Sequence, residues 1–209
     1  MGLFNALRGA TGGVDADLTT NGIPGRGVLV GVQINGAQVS FGADSYRVCD
    51  LQVQVFIDGG QPYVATCRQR VHEVMLPQLN GGMTVSVRVD RNDASKVAVV
   101  FDEEPPVVTL APPVDGGSAT ILARGREAAA VIVANQPLGL RNHEGVDVHL
   151  FTLTVTAPGA DPYQVQVGNP LPGSALPLVF PGAKVPIKIG PDGPQSIAID
   201  WARASSASG

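Results

Sequence analysis

The sequence predicts an all-β protein made of two tandem five-stranded small β-barrels that are related by an internal duplication. Three observations lead to this fold class. The 209 residues include 26 Gly and 17 Pro but only 15% charged residues, a composition typical of short strands and frequent turns. Apolar and polar residues alternate along several segments, as in strands with one buried face. Residues one hundred positions apart are similar between the two halves.

The similarity between the halves defines the predicted domain organisation. A shift of one hundred residues aligns them without a gap, and its clearest pairs are Gly25-Arg26 with Gly125-Arg126, Pro62-Tyr63 with Pro162-Tyr163, and Leu76-Pro77 with Leu176-Pro177. A period of this length indicates two domains rather than a solenoid, whose repeats are shorter. The predicted segments are a flexible N-terminus (1–20), repeat one (21–104), a Pro-rich linker (105–117), repeat two (118–203) and a flexible tail (204–209).

Alternation predicts five strands in repeat one. Their apolar faces consist, strand by strand, of Val28, Val30, Val32 and Ile34; Leu51, Val53, Val55 and Ile57; Tyr63, Ala65 and Cys67; Val85, Val87 and Val89; and Val97, Val99 and Phe101. Turns at 58–61 and 90–93 join two of the strand pairs. One flat sheet would leave its apolar face in water, so we expect the repeat to curl into a barrel.

Repeat two follows the same plan. Its apolar faces consist of Ala128, Ala130 and Ile132; Phe151, Leu153 and Val155; Val165 and Val167; Val185, Ile187 and Ile189; and Ile197, Ile199 and Trp201. An interlude between strands three and four resembles the place where the OB-fold has a helix. Residues 69–79 are long enough for about one turn, whereas the prolines within 169–179 exclude a regular helix. An SH3-like barrel therefore fits as well as an OB-like one.

Two further segments have structural interpretations. Pro62 and Pro162 suit the first residue of a strand because proline cannot donate to the ladder. The tyrosines that follow them, Tyr63 and Tyr163, are expected to close the barrel end, with each hydroxyl reaching water or a backbone carbonyl. In the linker, residues 107–110 are a candidate short strand.

Several short motifs of repeat two occur in a characteristic order. They are "PY" after a hairpin turn, "LP" followed by "PG" and "VPIKI" at 176–189, and "IAIDW" at 197–201. In these motifs the chain resembles a β-rich module of uncharacterised proteins from high-GC Gram-positive bacteria, which is sometimes found beside the helical hairpin domain SHOCT. Repeat one has "NGGMTVSVRVD" instead, and the helical hairpin itself is absent from this sequence. The resemblance implies no known activity and assigns no catalytic or binding residue.

Charge and hydropathy limit the partners. The formal net charge of -4 gives no electrostatic reason to expect a polyanion, so nucleic acid is a disfavoured partner. No apolar run is long enough for a transmembrane segment, and the N-terminus lacks the pattern of a secretory signal, so a cytoplasmic location is predicted by default. Leu3, Phe4 and Leu7 leave docking of the N-terminal segment on a membrane surface or a partner as an alternative to a frayed end.

No residue pattern points to catalysis, a cofactor or a metal. Cys49 and Cys67 both fall on the inward parity, about 10 Å apart along the predicted ladder, which predicts buried free thiols rather than a disulfide. The three histidines, His72, His143 and His149, lack metal-ligand spacing. Nucleophile elbows, phosphate loops and dinucleotide fingerprints are missing. We therefore expect a protein that is not an enzyme.

The favoured interpretation is a non-catalytic interaction or scaffold protein that binds another protein or itself. The alternative is an OB-like binding protein for single-stranded nucleic acid or oligosaccharide, which would need outward aromatic and cationic side chains. Both hypotheses lead to the same candidate partner-binding residues of repeat one: Phe41, Tyr46, Phe56, Arg47, Arg68 and Arg88. Phe56 has the parity of the polar strand face and is expected to be exposed. Acidic neighbours such as Asp44 and Asp50 favour a protein partner, with repeat two as support or a self-association surface.

Overall fold

The computed structural model describes residues 16–41, 44–114 and 117–206. At residues 36, 37 and 41 it describes the backbone but not the side chains. The chain is all-β with a few short helices. It divides into two compact units, Met1–Val108 and Thr109–Gly209, called unit 1 and unit 2 below. The division falls inside the predicted Pro-rich linker. Leu3, Phe4 and Leu7, on which the docking alternative depends, lie outside the described residues.

The described residues of unit 1 form a helix, five strands and a 3-10 helix. In chain order they are α1 (Ala16–Asn21), β1 (Ile23–Phe41), β2 (Asp44–Phe56), β3 (Tyr63–His72), the 3-10 helix Glu73–Gln78, β4 (Thr84–Val89) and β5 (Val97–Val100). The first strand is long because it pairs with β4 through its first residues and with β2 along most of its length.

The elements of unit 2 follow the same order, with one short strand added before the helix and one helix added after the last strand. They are β6 (Val108–Thr109), α2 (Gly117–Arg124), β7 (Arg126–Arg141), β8 (Asp147–Thr156), β9 (Tyr163–Pro170), the 3-10 helix Gly173–Leu178, β10 (Lys184–Ile189), β11 (Ile197–Ile199) and α3 (Trp201–Ser206). The linker strand β6 pairs with β7, as the candidate strand in the linker predicted. Both interludes are 3-10 helices, and each has a proline inside it, Pro77 or Pro177.

The two units have the same strand order. It is β3-β2-β1-β4-β5 in unit 1 and β9-β8-β7-β10-β11 in unit 2, with antiparallel neighbours throughout. Alternation places the core correctly on the second strand of each unit, where the alternate residues are fully buried: Leu51, Val53 and Val55, and Phe151, Leu153 and Val155. The shared order is compatible with an internal duplication.

A buried side-chain amide links the two terminal strands of each sheet. On β3, Gln69 donates from Nε2 to the Val99 carbonyl at 3.1 Å and accepts from the Val99 N–H at 2.9 Å. On β9, Asn169 donates to the Ile197 carbonyl at 3.2 Å and accepts from the Ile199 N–H at 3.1 Å. Each amide takes the place of a peptide group between strands and holds the sheet in its curl. We call Gln69 and Asn169 the amide latches.

The gapless shift of one hundred residues is wrong for the first strand. Val85 pairs with Gly27 and Val185 pairs with Ala130, so Ala130 lies three positions beyond the place that the shift predicts. The hairpin after this strand restores the shift, because the chain from Ala130 to its cross-strand partner Val155 is three residues shorter than the chain from Gly27 to its partner Val55.

The match of Gly25-Arg26 with Gly125-Arg126 is consequently not structural. Gly125 instead corresponds to Gly22, since both follow a helix and donate their N–H back into its last turn. The acceptors are the carbonyl of Leu18 at 2.9 Å in unit 1 and that of Ile121 at 2.7 Å in unit 2. A Cβ at either glycine would lie within 2.5 Å of the same carbonyl oxygen, which explains why glycine stands at both positions.

A β-bulge corrects the predicted inward face of β1. Its register shifts between Leu29 and Gly31, so Leu29 is fully buried and Val30 is 49% exposed. Val32 returns to the inner side and packs against the core. The prediction that Val28 and Val30 share the inward face with Val32 is therefore wrong, because alternation within one strand cannot reveal a bulge.

The ends of the described chain are more ordered than predicted. Residues 16–20, assigned to a flexible N-terminus, belong to α1, and residues 204–206, assigned to the tail, belong to α3. Trp201 begins α3 instead of ending a strand, and its indole Nε1 donates to the Pro170 carbonyl at 2.8 Å. Ala204 is buried beside it in the core of unit 2, which explains the helix.

Candidate protein-binding surface

Two of the predicted partner-binding residues share the outer face of β2 and β3. Tyr46 and Arg68 both point away from the core; His72 lies opposite Tyr46, Asp50 lies opposite Arg68, and Arg70 lies between these pairs, opposite the buried Val48. We call these five residues the β2–β3 outer face. Alternation positions Asp50, Arg68 and Arg70, because their neighbours along both strands are buried inward residues.

Asp50 is the electrostatic centre of this face. Arg68 donates to it through two hydrogen bonds, from Nε at 2.7 Å and from Nη2 at 2.9 Å, and Asn35 of β1 donates a third at 2.6 Å. The hydrogen bond from Arg68, followed by the one from Asn35, lowers the pKa of Asp50. The same contact raises the pKa of the Arg68 guanidinium. The cation that sequence reasoning selected is therefore neutralised by a neighbouring strand.

Tyr46 is held by an aromatic contact with His72. The two rings meet edge to face with centroids 5.1 Å apart. The Nδ1 of His72 accepts the N–H of Val74 at 3.2 Å, which caps the 3-10 helix, and its Nε2 lies 3.5 Å from Asp44. This network fixes the Tyr46 ring in a half-exposed position, which suits a contact residue.

Arg47 and Arg88 do not belong to this face. Arg47 has the inward parity and extends past the end of the core, where it forms a 3.0 Å ion pair with Glu73 of the 3-10 helix. Arg88 lies on β4 and forms an ion pair with Glu103 in the segment after β5. Both arginines therefore have carboxylate partners on different parts of unit 1.

The remaining two candidates have different outcomes. The side chain of Phe41 lies outside the described residues. Phe56 points to the outer side of the sheet as predicted, but the prediction that it is exposed is wrong, since it is 7% exposed. Its cross-strand neighbour Arg26 donates to the carbonyls of Pro105 and Pro106, which brings the linker segment onto this face. Parity identified the side of the sheet and not the segment that covers it.

The two cysteines lie in the core of unit 1, buried and free, as predicted. Their ladder neighbours are Gln69 for Cys49 and Leu51 for Cys67, each one residue away from the predicted position. Burial raises the pKa of both thiols, to about 12 for Cys67. Thiols with raised pKa values are poor nucleophiles, so this pair has no feature of a reactive site.

The paired tyrosines differ in one contact. Tyr163 packs against the core of unit 2 and its hydroxyl donates to the Pro194 carbonyl at 3.0 Å, as the sequence predicted. Tyr63 packs in the same way in unit 1, but its hydroxyl is buried without a hydrogen-bond partner. Burial raises the pKa of both hydroxyls. These tyrosines close the sheet ends and are not part of the candidate surface.

Sequence reasoning missed a groove on the outer face of unit 2. It has a volume of about 620 Å³ and lies over β10, β7 and the end of β8. Ala129 and Thr156 contribute small side chains to its floor, and Lys184 and Arg203 stand at its rim. The sequence contains one signal for this groove: repeat two has Thr156 at the position where repeat one has Phe56. Leu176 and Phe180, 57% and 56% exposed, add apolar surface elsewhere on unit 2.

Neither metal clusters nor membrane-spanning helices occur in the part of the chain that the structure describes. No group of three His, Cys, Asp or Glu residues there is arranged to hold a metal ion. Within the same residues, no helix has the length and apolar character required to cross a membrane.

No family model matches the chain, and no curated protein matches it in sequence. The resemblance to the β-rich module of high-GC Gram-positive bacteria therefore stays a prediction from its motifs.

Proposed function

We propose that the protein is a non-catalytic interaction protein whose β2–β3 outer face binds another protein. The observation that carries this proposal is the pairing of Arg68 with Asp50 on this face; elsewhere on unit 1, Arg47 is paired with Glu73 and Arg88 with Glu103. A mixed-charge surface with a half-exposed tyrosine is typical of protein interfaces. Phosphate backbones instead require cations that remain free to replace counterions.

The strand order supports the OB-like form of the predicted barrel over the SH3-like form. Both sheets place the first strand between the second and the fourth and bring the third and fifth together through the amide latches. A 3-10 helix also occupies the interlude where an OB-fold has its helix. OB-like barrels use the face of their second and third strands for ligands, which is the face that Tyr46 and Arg68 occupy.

A cytoplasmic location belongs to the same proposal. Cys49 and Cys67 are free thiols in the core, and cysteines of cytoplasmic proteins are normally kept reduced.

The test is site-specific photo-crosslinking of the full chain in the cell. A photoreactive amino acid at Thr66, an exposed residue next to the Asp50–Arg68 end of the β2–β3 outer face, should crosslink to a defined partner protein. The matched control is the same group at Gln166, the corresponding position of unit 2. Tyr46→Ala should abolish the crosslink at Thr66, because truncating a central tyrosine commonly costs about 2 kcal/mol or more of binding. An unchanged crosslink in that variant would contradict the proposal.

Binding of single-stranded nucleic acid is the alternative function, and it is tested with the purified full chain. Titration with labelled single-stranded oligonucleotides at increasing salt should show no specific binding. Affinity that falls steeply with salt and weakens in Arg68→Ala would replace the protein-binding proposal with the nucleic-acid one.

A further inference from the structure

In unit 1 the outer face of the sheet is covered by the chain that follows β5. Arg26 of β1 stands between Phe56 of β2 and Ser86 of β4 in one cross-strand row. The guanidinium of Arg26 donates to the carbonyls of Pro105 and Pro106, both at 2.9 Å. The row is closed to solvent, since Phe56 is 7% exposed and Ser86 is fully buried.

A charged pair holds the beginning of the same segment. Arg88 lies two residues beyond Ser86 on the same face of β4, and it forms an ion pair with Glu103. The stretch from Glu103 to Pro106 thus brings two carboxylates and two prolines to the outer face of unit 1: Glu103 pairs with Arg88, and the charge of Glu104 acts on Arg26. We call residues 103–106 the covering segment.

The corresponding row of unit 2 is open. It consists of Ala129, Thr156 and Pro186, which are cross-strand neighbours just as their counterparts are. Ala129 and Thr156 are exposed, and the groove of about 620 Å³ lies over them. After β11 the chain enters α3 instead of returning over the sheet, so Arg203 reaches only the rim.

Side-chain replacements account for the groove. An alanine stands where unit 1 has Arg26, and a threonine stands where it has Phe56, so two large side chains are missing from the floor. The backbone beneath is unchanged, because the same pairs of strands meet in the same register. The groove therefore lies at the position where, in unit 1, the covering segment occupies the outer face.

The charges around the groove favour an acidic occupant. Lys188 stands at the position of Arg88, opposite Ala198 as Arg88 is opposite Ala98. Lys184 on the rim forms no ion pair among the described residues. Glu127 is the acidic residue of the lining, and Arg203 neutralises it at 3.1 Å. Lys184 is therefore available for a carboxylate at the rim, whereas Lys188 lies outside the lining of the groove and opposite Glu127 on β7.

We propose that this groove binds an extended segment of a partner protein in which a carboxylate precedes two prolines. The proposal deepens the proposed function, on which it rests, by naming the chemistry of a partner and adding a second contact surface on unit 2. Proline segments suit this role because their backbone is already extended and has little conformational freedom to lose on binding.

The dimensions agree with an occupant of this length. Three neighbouring strands about 4.8 Å apart make a row about 10 Å wide. Four residues in polyproline conformation span about 12 Å, at about 3.1 Å each. A segment as long as residues 103–106 is therefore sufficient to cross the row of Ala129, Thr156 and Pro186.

The experiment titrates the full chain with a fluorescent peptide that has the sequence of residues 102–110, DEEPPVVTL. Saturable binding by fluorescence anisotropy is expected. A peptide with alanines in place of its two prolines should bind at least about tenfold more weakly, which corresponds to 1.4 kcal/mol. A peptide with glutamines in place of its two glutamates should also lose affinity.

Two variants locate the binding site. Thr156→Phe restores the aromatic ring of unit 1 and should reduce peptide affinity by at least about tenfold. Lys184→Glu reverses the charge at the rim, should weaken binding of the acidic peptide, and serves as the second variant if the first does not fold. Thr152→Phe, on the same face of β8 but outside the groove lining, is the matched control and should bind like the wild type.

Three outcomes would overturn the proposal: no saturable binding by the wild type, equal binding by the folded groove variants, or equal binding of the alanine peptide. Equal binding by the groove variants would mean that the peptide displaces the covering segment of unit 1. If the peptide fails while Tyr46→Ala still removes the crosslink at Thr66, the groove proposal alone is wrong. Loss of the crosslinking result with intact peptide binding would reject the β2–β3 face instead.

Discussion

On the outer face of unit 1, a large basic side chain and an aromatic ring lie beneath a proline segment, whereas the same place in unit 2 is an open groove. The row of Arg26, Phe56 and Ser86 is closed, and the row of Ala129, Thr156 and Pro186 is exposed. Inside the sheets the two units agree in strand order, in the amide latches and in the parity of the core.

This difference shows which side of a small curled sheet is free to change. Inward residues must fill one enclosed volume, so each change is limited by its neighbours. Outward residues meet either water or a covering segment, so a pair of replacements converts a closed face into a groove without disturbing the ladder. Two units with one fold can therefore offer different surfaces.

The largest expected effect comes from removing an amide latch, which tests whether both units depend on it. Gln69→Leu and Asn169→Leu should each lower the free energy of unfolding by about 2–5 kcal/mol, because a buried N–H and a buried carbonyl lose their partners. Urea denaturation followed by circular dichroism measures both variants, and Trp201, the chain's one tryptophan, reports on unit 2. Gln52→Leu, on the exposed face of β2, is the control. A loss no larger than that of the control would show that the latches do not hold the curl.

A smaller effect is expected from exchanging core residues between the units. A Cβ added at Gly27 would lie 2.6 Å from Val53 Cγ1 and 2.7 Å from Val87 Cγ1, whereas the corresponding Ala130 is accommodated in unit 2. Gly27→Ala should destabilise unit 1 by about 1–3 kcal/mol, since the valines are stiff. The reverse change, Ala130→Gly, should cost about 1 kcal/mol or less. Equal stability of wild type and Gly27→Ala in urea would disprove this difference between the cores.

Releasing the covering segment should cost less again. Arg26→Ala removes two hydrogen bonds from a partly buried guanidinium, for an expected loss of about 1–2 kcal/mol. The segment around Pro105 and Pro106 should also become more accessible to hydrogen exchange, which mass spectrometry measures. Arg68→Ala is the control, because an exposed ion pair contributes about 0–1 kcal/mol. Unchanged exchange of residues 103–110 would mean that Arg26 does not hold the segment.

The smallest effect concerns acid. The pKa of Asp50 is lowered in the folded protein, mainly by the hydrogen bond from Arg68. A lowered pKa means that Asp50 stabilises the fold above its unfolded pKa of about 3.9 and that this contribution disappears as the pH falls through the folded value. Asp50→Asn should therefore remove less than about 1 kcal/mol at neutral pH, and progressively less as the pH falls through the folded pKa of Asp50. A larger loss in acid than at neutral pH would reverse the sign and contradict this assignment.

The candidate site shows what sequence reasoning could reach. Tyr46 and Arg68 were found because the parity of a strand reveals which side its residues face. Phe56 was misjudged because parity contains no information about a segment that returns over the sheet almost fifty residues later. The sequence also contains a signal for the amide latches. Gln69 and Asn169 are polar residues on the inward parity, and a buried side-chain amide needs hydrogen-bond partners. The groove exists because no segment of the described chain covers that row of unit 2, and a local sequence pattern does not reveal whether a distant segment covers a strand.

Sequence by itself determined the all-β class, the two tandem units, the inward faces of the second strands and the burial of both cysteines. These features depend on local periodicity and composition, which the chain carries residue by residue. Tertiary structure alone decided the three-residue offset of the first strand, the bulge after Leu29, the ion pairing of the arginines and the closure of one outer face. Each of these depends on which distant strand or segment comes to lie beside a residue, and several registers and coverings are compatible with the same alternating pattern.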